Sequence, residues 1–144
     1  MSKKIKCYLV GAMTGLTFDE MNEWRKDIEI FVSDIGVDDE IKIINPVDFF
    51  NFEMDSSDYT EREVMDFDLK AVEESDILIL NRKYAKSIGS AIELGLGSKS
   101  WNKPIIAFGK EEVHPWIECC INKNTLNYQD TIEYIKDFYL PILT

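Results

Sequence analysis

The chain has 144 residues, of which 45% are hydrophobic and 12% aromatic, enough for one well-buried core and too few for two ordinary domains. We therefore expect a single domain over residues 1–144. The formal net charge of −11 argues against a nucleic-acid polymer as partner, because a polyanion is bound by Lys and Arg that replace its counterions. No apolar run approaches the ~20 residues that span a bilayer, so no membrane partner is expected.

The cysteines and the start of the sequence indicate the compartment. Cys7, Cys119 and Cys120 have no zinc-type spacing, and an odd number of cysteines is more typical of reduced thiols than of a disulfide framework. The first residues lead into a strand pattern rather than into the apolar region of a signal peptide. These features predict a cytoplasmic protein.

The first half of the chain predicts two strands with a helix between them. The strands cover residues 4–10 and 41–44, and the helix covers residues 18–33, with Asp19 as its expected N-cap. The apolar residues of this helix are spaced for one buried face: Met21, Trp24, Ile28 and Phe31. Residues 47–59 are aromatic and acidic without clean periodicity, and we interpret them as a long loop or a partly helical lid.

The second half continues the alternation. It predicts helices over 60–75, 91–99 and 131–140 and strands over 76–80, 103–108 and 125–128. Strands that alternate with helices imply right-handed crossovers and helices on both faces of the sheet. The predicted fold class is α/β, a three-layer sandwich with a mostly parallel five-stranded sheet of flavodoxin-like or Rossmann-like type.

The segment Ser87-Ile88-Gly89-Ser90-Ala91-Ile92-Glu93-Leu94-Gly95 follows a buried strand and predicts a glutamate in the first turn of a helix. Loops at the carboxyl ends of parallel strands bind ligands, and a helix N-terminus offers free N–H groups and a partial positive charge. We expect Glu93 to be ionised and aimed at the crevice, as a nucleophile requires. The structural alternative is a glutamate that only complements the helix dipole. Gly95 and Gly97 predict close packing of the helix on the strand.

Three further groups lie near predicted strand ends. Tyr8 precedes a loop with two glycines, Asp68 lies on the helix before the third strand, and His114 follows the fourth. Each has a structural alternative: a core tyrosine, a solvated carboxylate and a surface histidine. A basic cluster adjoins the helix that carries Glu93 and forms either part of an anion site or a solvated loop: Arg82, Lys83 and Lys86.

Three motifs, in the same order, resemble the nucleoside 2-deoxyribosyltransferase family. The opening loop Tyr8-Leu9-Val10-Gly11-Ala12-Met13 is similar to that family's Tyr-Leu-x-Gly-x-Met/Phe. Asp68 lies several residues ahead of Ser75-Asp76-Ile77, and the segment from Gly89 to Gly95 matches Gly-Thr/Ser-x-x-Glu-hydrophobic-Gly. The resemblance covers most of the chain from Tyr8 to about Ile117, and the glutamate motif is its most specific part.

The resemblance implies roles for these residues. Glu93 is the implied nucleophile at C1′ of the sugar, Tyr8 holds Glu93 in place, and Asp68 contacts the base and protonates it as it leaves. The implied substrate-binding residues are Gly11, Met13, Ser87, Gly89, Ser90 and His114. The substrate is a small nucleoside or nucleotide, and neither a metal ion nor another cofactor is implied. A homodimer or higher homo-oligomer is expected, because His114 holds the place of a residue that a neighbouring subunit donates in the family.

One departure concerns a 5′-phosphate. Where the transferases carry Asp, this chain has Ser87, and the related nucleoside 5′-monophosphate N-glycosidases carry a serine there that binds phosphate. An aspartate repels a phosphate, whereas a serine donates a hydrogen bond to it. His114 suits either a 5′-hydroxyl or a phosphate, so both substrate classes stay open, as do ribose or 2′-deoxyribose and base or water as acceptor.

Other classes on a similar fold are weighed against this hypothesis. Thr14-Gly15-Leu16-Thr17 weakly matches the phosphate loop of a flavodoxin-like protein that binds FMN, with Tyr84 and Trp101 as stacking aromatics. A receiver domain is set aside, because the first strand ends without the acidic pair that holds Mg²⁺. A nucleotide sensor without catalysis is the remaining alternative, and the presence of Tyr8, Asp68 and Glu93 argues against it.

Overall fold

The computed structural model describes residues 4–49 and 59–144. In this part of the chain one sheet has five strands: β1 (Ile5–Val10), β2 (Ile41–Ile44), β3 (Ile77–Asn81), β4 (Ile105–Phe108) and β5 (Lys123–Thr125). All neighbouring strands pair in parallel, in the order β2-β1-β3-β4-β5. This is the strand order of flavodoxin-like folds, and the predicted α/β class is confirmed.

In the described ranges, four helices lie in the connections between successive strands, and two follow β5. They are α1 (Phe18–Asp34), α2 (Glu61–Glu74), α3 (Ile88–Gly95), α4 (Pro115–Glu118), α5 (Tyr128–Tyr134) and α6 (Leu140–Leu143). A π-helical turn over Leu96–Ser100 extends α3, and another over Ile135–Tyr139 joins α5 to α6. In the described ranges, no helix has the length and apolar character to cross a membrane.

Alternate side chains of the central strands enter two separate cores. Cys7 and Leu9 of β1 pack in one cluster with residues of α1 and α5, among them Ile28 and Ile132. The intervening residues of β1 enter the opposite cluster, which includes Val72 of α2 and Leu94 of α3. Because both faces of the sheet are covered, the central strands β1, β3 and β4 are buried almost throughout, whereas the edge strands β2 and β5 are partly exposed. The three-layer arrangement is therefore present.

Close packing of α3 on the sheet depends on one of the two predicted glycines. A Cβ added at Gly97 would lie 2.4 Å from Cδ1 of Leu78 on β3, so a larger residue would force the helix away from the strand. A Cβ at Gly95 would meet no atom within 4 Å. The prediction of close approach is right for Gly97 and wrong for Gly95.

The capping residue of α1 and the beginning of α5 differ from the prediction. Thr17, not Asp19, caps α1, because Thr17 and Glu20 form a reciprocal capping box. Asn127 caps α5 by accepting from the backbone N–H of Asp130, so this helix begins three residues before its predicted start.

Two further predictions concern single segments. Strand β5 precedes its predicted position, because Asn122 exchanges hydrogen bonds with Ile105 and aligns the following residues with β4. The start of the proposed lid is a short 3₁₀ helix over Pro46–Phe49. Residues 50–58, most of the proposed lid, lie outside the described residues.

Candidate active site

A cavity of about 690 Å³ opens where β1 and β3 end. These strands are neighbours in the sheet, and their connections leave toward opposite sides, which makes this the topological switch point where open α/β sheets bind ligands. The loop after β1, one side of α2 and the beginning of α3 line the cavity. We call it the carboxylate cavity, because Glu61, Asp68 and Glu93 all line it.

Tyr8 and Glu93 meet at this cavity. Tyr8 is fully buried on β1, and its hydroxyl donates a hydrogen bond of 2.5 Å to Oε2 of Glu93. Ser87 is the N-cap of α3 and Ile88 its first residue, so Glu93 lies in the second turn. The prediction of a first-turn glutamate is therefore wrong, and Tyr8, rather than the free N–H groups of the helix, is the partner of the carboxylate.

The protonation of Glu93 also differs from the prediction. Burial raises the pKa of Glu93 to about 7, and the nearby Asp68 adds to the rise, while the hydrogen bond from Tyr8 opposes it. The pKa of Tyr8 is raised far above its ordinary value, first by burial and then by Glu93. Tyr8 is therefore a hydrogen-bond donor, and Glu93 gains a proton near neutral pH rather than being held firmly as an anion.

Asp68 lies on α2 and faces the same cavity. Burial raises the pKa of Asp68 to about 6, against the lowering effect of Arg25. Its Oδ1 is buried, and within residues 4–49 and 59–144 it has no hydrogen-bond partner. An unpaired buried oxygen is costly, so a ligand group that pairs with it gains binding energy.

The loop after β1 lies between the cavity and helix α1. Gly11 and Met13 both line the cavity, as predicted for substrate contacts. A Cβ at Gly11 would lie 2.8 Å from Cζ2 of Trp24, so only glycine lets the loop lie this close to the helix. The carbonyl of Gly11 accepts a hydrogen bond of 2.9 Å from Nη2 of Arg25.

Arg25 was not among the predicted site residues. It is fully buried, and its charge acts on Tyr8, Asp68 and Glu93. The sequence did carry a signal for it, since Arg25 occupies the helical position between Met21 and Ile28 on the apolar face of α1. A charged residue at a core position of an amphipathic helix is an exception that calls for a partner.

The predicted phosphate-binding segment is well ordered by its own side chains. Oγ of Ser87 accepts from the backbone N–H of Ser90 at 3.0 Å and contacts Oγ of Ser90 at 2.8 Å. Ser87, Gly89 and Ser90 all line the carboxylate cavity, and the position of Gly89 is open, because a Cβ there would meet nothing within 4 Å. The N–H groups of Ile88 and Gly89 precede the first intrahelical hydrogen bond of α3.

The basic cluster does not complete an anion site. Arg82 forms an ion pair of 2.8 Å with Glu118 and donates at 2.8 Å to Asn124 and at 2.7 Å to the carbonyl of Glu111. Nζ of Lys83 lies 5.5 Å from the centre of the Tyr84 ring. Within residues 4–49 and 59–144, no Lys, Arg or His side chain lines the carboxylate cavity. Of the two alternatives left open for this cluster, an anion site is not formed by Arg82, because its donors are paired within the protein.

His114 lines a different hollow. This second hollow, of about 770 Å³, lies on the other side of Ser87 and Ile88, and Trp116 and Cys120 are among its walls. His114 is exposed, and its Nδ1 accepts from the backbone N–H of Trp116, so it caps α4. Within the described chain the structure therefore brings Tyr8, Asp68 and Glu93 together and leaves His114 outside their cavity.

The described cysteines are free, and Cys7 is buried within β1. No group of three or more His, Cys, Asp or Glu side chains in the described ranges is arranged to hold a metal ion.

Comparison with known proteins was made at the levels of sequence and structure. No protein-family model and no curated protein matches the sequence. A 2-deoxyribosyltransferase from Bacillus psychrosaccharolyticus superposes with a TM-score of 0.67 at 19% identity, over 90% of this chain and 91% of that one. A CMP N-glycosidase from Clostridium botulinum superposes with a TM-score of 0.55 at 18% identity, over 93% and 98% of the two chains.

A conserved protein from Enterococcus faecalis V583 has a TM-score of 0.74 at 15% identity, over 94% of this chain and 99% of that one. At these identities the similarity establishes the fold. The fold of this chain is thus one that solved structures of a 2-deoxyribosyltransferase and a CMP N-glycosidase share, the two enzyme classes that its motifs resemble.

Proposed function

We propose that this chain is a nucleoside 2-deoxyribosyltransferase-like enzyme that cleaves the N-glycosidic bond of nucleosides and passes the sugar to another base or to water. The observation that carries the proposal is the hydrogen bond of 2.5 Å from Tyr8 to Glu93 in a cavity that Asp68 also lines. Two carboxyl groups in one cavity are the minimum machinery for glycosidic bond cleavage with a covalent intermediate.

In the first step an oxygen of ionised Glu93 attacks C1′ of the sugar. The bond from C1′ to the base nitrogen breaks, its electron pair leaves with the base, and protonated Asp68 donates a proton to that nitrogen. Tyr8 binds Oε2 of Glu93, which leaves Oε1 for the attack. The products are a glycosyl ester of Glu93 and a neutral base.

In the second step the ester is resolved. A nitrogen of an incoming base, or a water molecule, attacks C1′, and Asp68 accepts the proton that this nucleophile loses. The bond from C1′ to Glu93 breaks, and Glu93 is again a carboxylate. Two displacements at C1′ leave its configuration unchanged.

The walls of the cavity favour an uncharged nucleoside. Apolar side chains from the β1 loop, α1 and α2 offer a surface for a base and a sugar: Met13, Leu16, Met21, Val64, Met65 and Leu69. Among the described residues, the charged groups that line the cavity are Glu61, Asp68 and Glu93, all of which repel an anion when ionised.

A second candidate, a 2′-deoxynucleoside 5′-monophosphate N-glycosidase, is favoured by Ser87. Its hydroxyl and the first N–H groups of α3 stand at the edge of the cavity, where an aspartate would repel a phosphate. A flavodoxin-like FMN carrier has less support, because the ring of Tyr84 is stacked against Trp24 and Trp101 packs against the core. A colourless purified protein would exclude it.

The test uses substrates of both classes. The protein is incubated with deoxynucleosides and with deoxynucleoside monophosphates, with and without a free base, and base release and exchange are followed by chromatography. Exchange between bases supports a transferase, and release without exchange supports a hydrolase. No release from any of these substrates would refute the proposal.

We further propose that the active form is a homo-oligomer in which His114 reaches the site of a neighbouring subunit. His114 lies in the second hollow, beside the carboxylate cavity, and Trp116 is 80% exposed there. Mixing inactive Glu93→Gln chains with weakened His114→Ala chains should then restore up to about a quarter of the activity, as expected for random dimers with one intact site. An active enzyme that is strictly monomeric by light scattering would contradict this.

A further inference from the structure

A buried arginine that the proposed chemistry does not use lies beneath the carboxylate cavity. The side chain of Arg25 is fully buried, and its guanidinium lies 4.4 Å from the centre of the Trp24 ring. It donates at 2.9 Å to the carbonyl of Gly11 and also to the carbonyl of Met21. Its Nε has no hydrogen-bond partner among residues 4–49 and 59–144.

Such an arrangement is costly unless the charge is used. A buried guanidinium is ordinarily paired with a carboxylate, because backbone carbonyls compensate only part of its lost hydration. None of the ion pairs found in the described ranges includes Arg25. If its only task were to hold two carbonyls, a neutral donor would perform it at lower cost.

The acidic groups that face this charge are those of the cavity. Burial lowers the pKa of Arg25 to about 10, and its interactions with Tyr8, Glu93 and Asp68 oppose that lowering. Glu61 lines the same cavity from α2. Glu93 and Asp68 therefore sense Arg25, and Arg25 is a nearby cation that favours an ionised Glu93.

We propose that Arg25 is a positioning residue of this site, which fixes the Gly11 loop against α1 and supplies from behind it the positive charge that balances ionised Glu93. The two functions use different properties of one side chain. Its planar fork of donors holds the carbonyls of Gly11 and Met21, and its permanent charge acts on the carboxylate across the loop. The part of the proposal that concerns catalysis rests on the function proposed above, whereas the coupling between Arg25 and Glu93 does not.

The coupling is tested without any substrate. Unfolding by urea is measured for the wild type, Arg25→Met, Glu93→Gln and the double variant, at about pH 8.5 and about pH 5.5, on either side of the Glu93 pKa. We expect Arg25→Met to raise the unfolding equilibrium constant about tenfold more with Glu93 present than with Gln at this position at the higher pH. At the lower pH the two backgrounds should agree.

The controls separate charge from packing. Arg25→Lys keeps a cation and should recover most of the difference between backgrounds, and Arg62→Met, at an exposed arginine of α2, should produce none. If the single variant fails to fold at the higher pH while the double variant folds, the proposal is supported. Equal penalties in both backgrounds, or failure of both to fold at either pH, would assign Arg25 to the fold alone and overturn the proposal.

The catalytic part is tested by the pH dependence of kcat/KM with a substrate found as described above. Loss of the cation raises the pKa of both Asp68 and Glu93, so Arg25→Met should move the acidic limb, and with it the basic limb, upward by about one pH unit, and Arg25→Lys should move them back. A merely structural role lowers the whole profile without moving the limb, and that result would overturn this part. If no substrate is turned over by the wild type, the proposed function fails while the unfolding measurements still decide the coupling.

Discussion

The two hollows beside Ser87 have nearly the same volume, about 690 Å³ for the carboxylate cavity and about 770 Å³ for the second hollow, yet opposite chemistry. The first holds Glu93, which accepts a hydrogen bond from Tyr8, and Asp68; burial raises the pKa of both carboxyl groups, and Arg25 opposes that rise. The second exposes apolar side chains, with Trp116 and Ile88 each 80% exposed. Volume therefore does not distinguish the proposed active site from the proposed subunit contact, whereas the interdependence of buried polar groups does.

The difference also concerns stability. Burial makes the ionised forms of Asp68 and Glu93 unfavourable. When they are ionised, these two carboxyl groups therefore lower the stability of the fold. In the second hollow, by contrast, removal of the apolar surface from water would lower the free energy. Substitutions in the carboxylate cavity should accordingly alter activity, and substitutions in the second hollow should alter association between chains.

The largest expected effect is that of Glu93→Gln. We expect a loss of turnover of about a thousandfold or more, because an amide cannot form the glycosyl ester. The raised pKa of Glu93 contributes stability that is complete below its unfolded pKa and is lost as the pH rises through about 7. The variant should therefore be more stable than the wild type above pH ~7, by on the order of 2 kcal/mol, and equal to it near pH ~4.

Steady-state kinetics and thermal unfolding across this pH range measure both effects. Glu73→Gln, at an exposed glutamate of α2, is the matched control and should change neither. Turnover by Glu93→Gln at the rate of the wild type would remove the nucleophile assignment.

Asp68→Asn should have the next largest effect. Loss of a general acid typically lowers the rate by about 10²–10⁴-fold. The loss should be smaller for a substrate whose leaving group at C1′ is stable without a proton. The wild type requires ionised Glu93 and protonated Asp68, so kcat/KM should be bell-shaped between limbs near pH 6 and pH 7. The variant should lose the falling limb.

The control is Asp66→Asn on the same helix, where the carboxylate is exposed and pairs at 3.8 Å with Arg62. Rate profiles of the three proteins against pH decide the matter. A falling limb that survives in Asp68→Asn would show that another group donates the proton.

Tyr8→Phe should have a smaller effect, about tenfold to a hundredfold in kcat/KM, the value of one hydrogen bond to a charged group. That bond lowers the pKa of Glu93. Because the pKa of Glu93 lies above that of Asp68, it sets the falling limb of the bell, so removal of the bond should lower the plateau and move the falling limb to higher pH. Phenylalanine fits the buried position, and the fold should be kept. A reduced rate with an unmoved limb would mean that Tyr8 packs against Glu93 without tuning it.

Sequence patterns predicted the features that depend on regular alternation. The alternation of strands and helices predicted the α/β fold with a parallel sheet. The motifs around Tyr8, Asp68 and Glu93 pointed to side chains that the structure brings to one cavity. Periodicity and motif spacing are local properties of the chain, and the parallel α/β fold converts them into proximity in a regular way.

The features that the sequence did not predict depend on which hydrogen-bond or ion-pair partner a polar side chain takes in the folded chain. The helix beginning at Ile88 rather than Ala91 follows from capping by Ser87, and this moves Glu93 out of the first turn. Arg82 turns to Glu118, a partner 36 residues away, instead of facing an anion site. Arg25 is not predicted by periodicity, because the apolar residues of α1 define its buried face whether or not one charged residue lies among them.

The smallest predicted effects are those at Ser87, which lines both hollows and therefore tests the contrast directly. Ser87→Asp should keep the cap of α3, because aspartate is also a good N-cap, while it adds a negative charge to a cavity that already holds three carboxyl groups. Binding of a deoxynucleoside monophosphate should weaken by several-fold to about a hundredfold, and binding of the unphosphorylated deoxynucleoside should stay the same or improve.

Ser87→Ala, the control for the cap, should lower stability by about 1 kcal/mol without discriminating between the two ligands. Binding of both ligands to the three proteins, measured by calorimetry, decides between the substrate classes: if the wild type prefers deoxynucleosides and Ser87→Asp alters neither affinity, the monophosphate candidate fails and the nucleoside assignment stands.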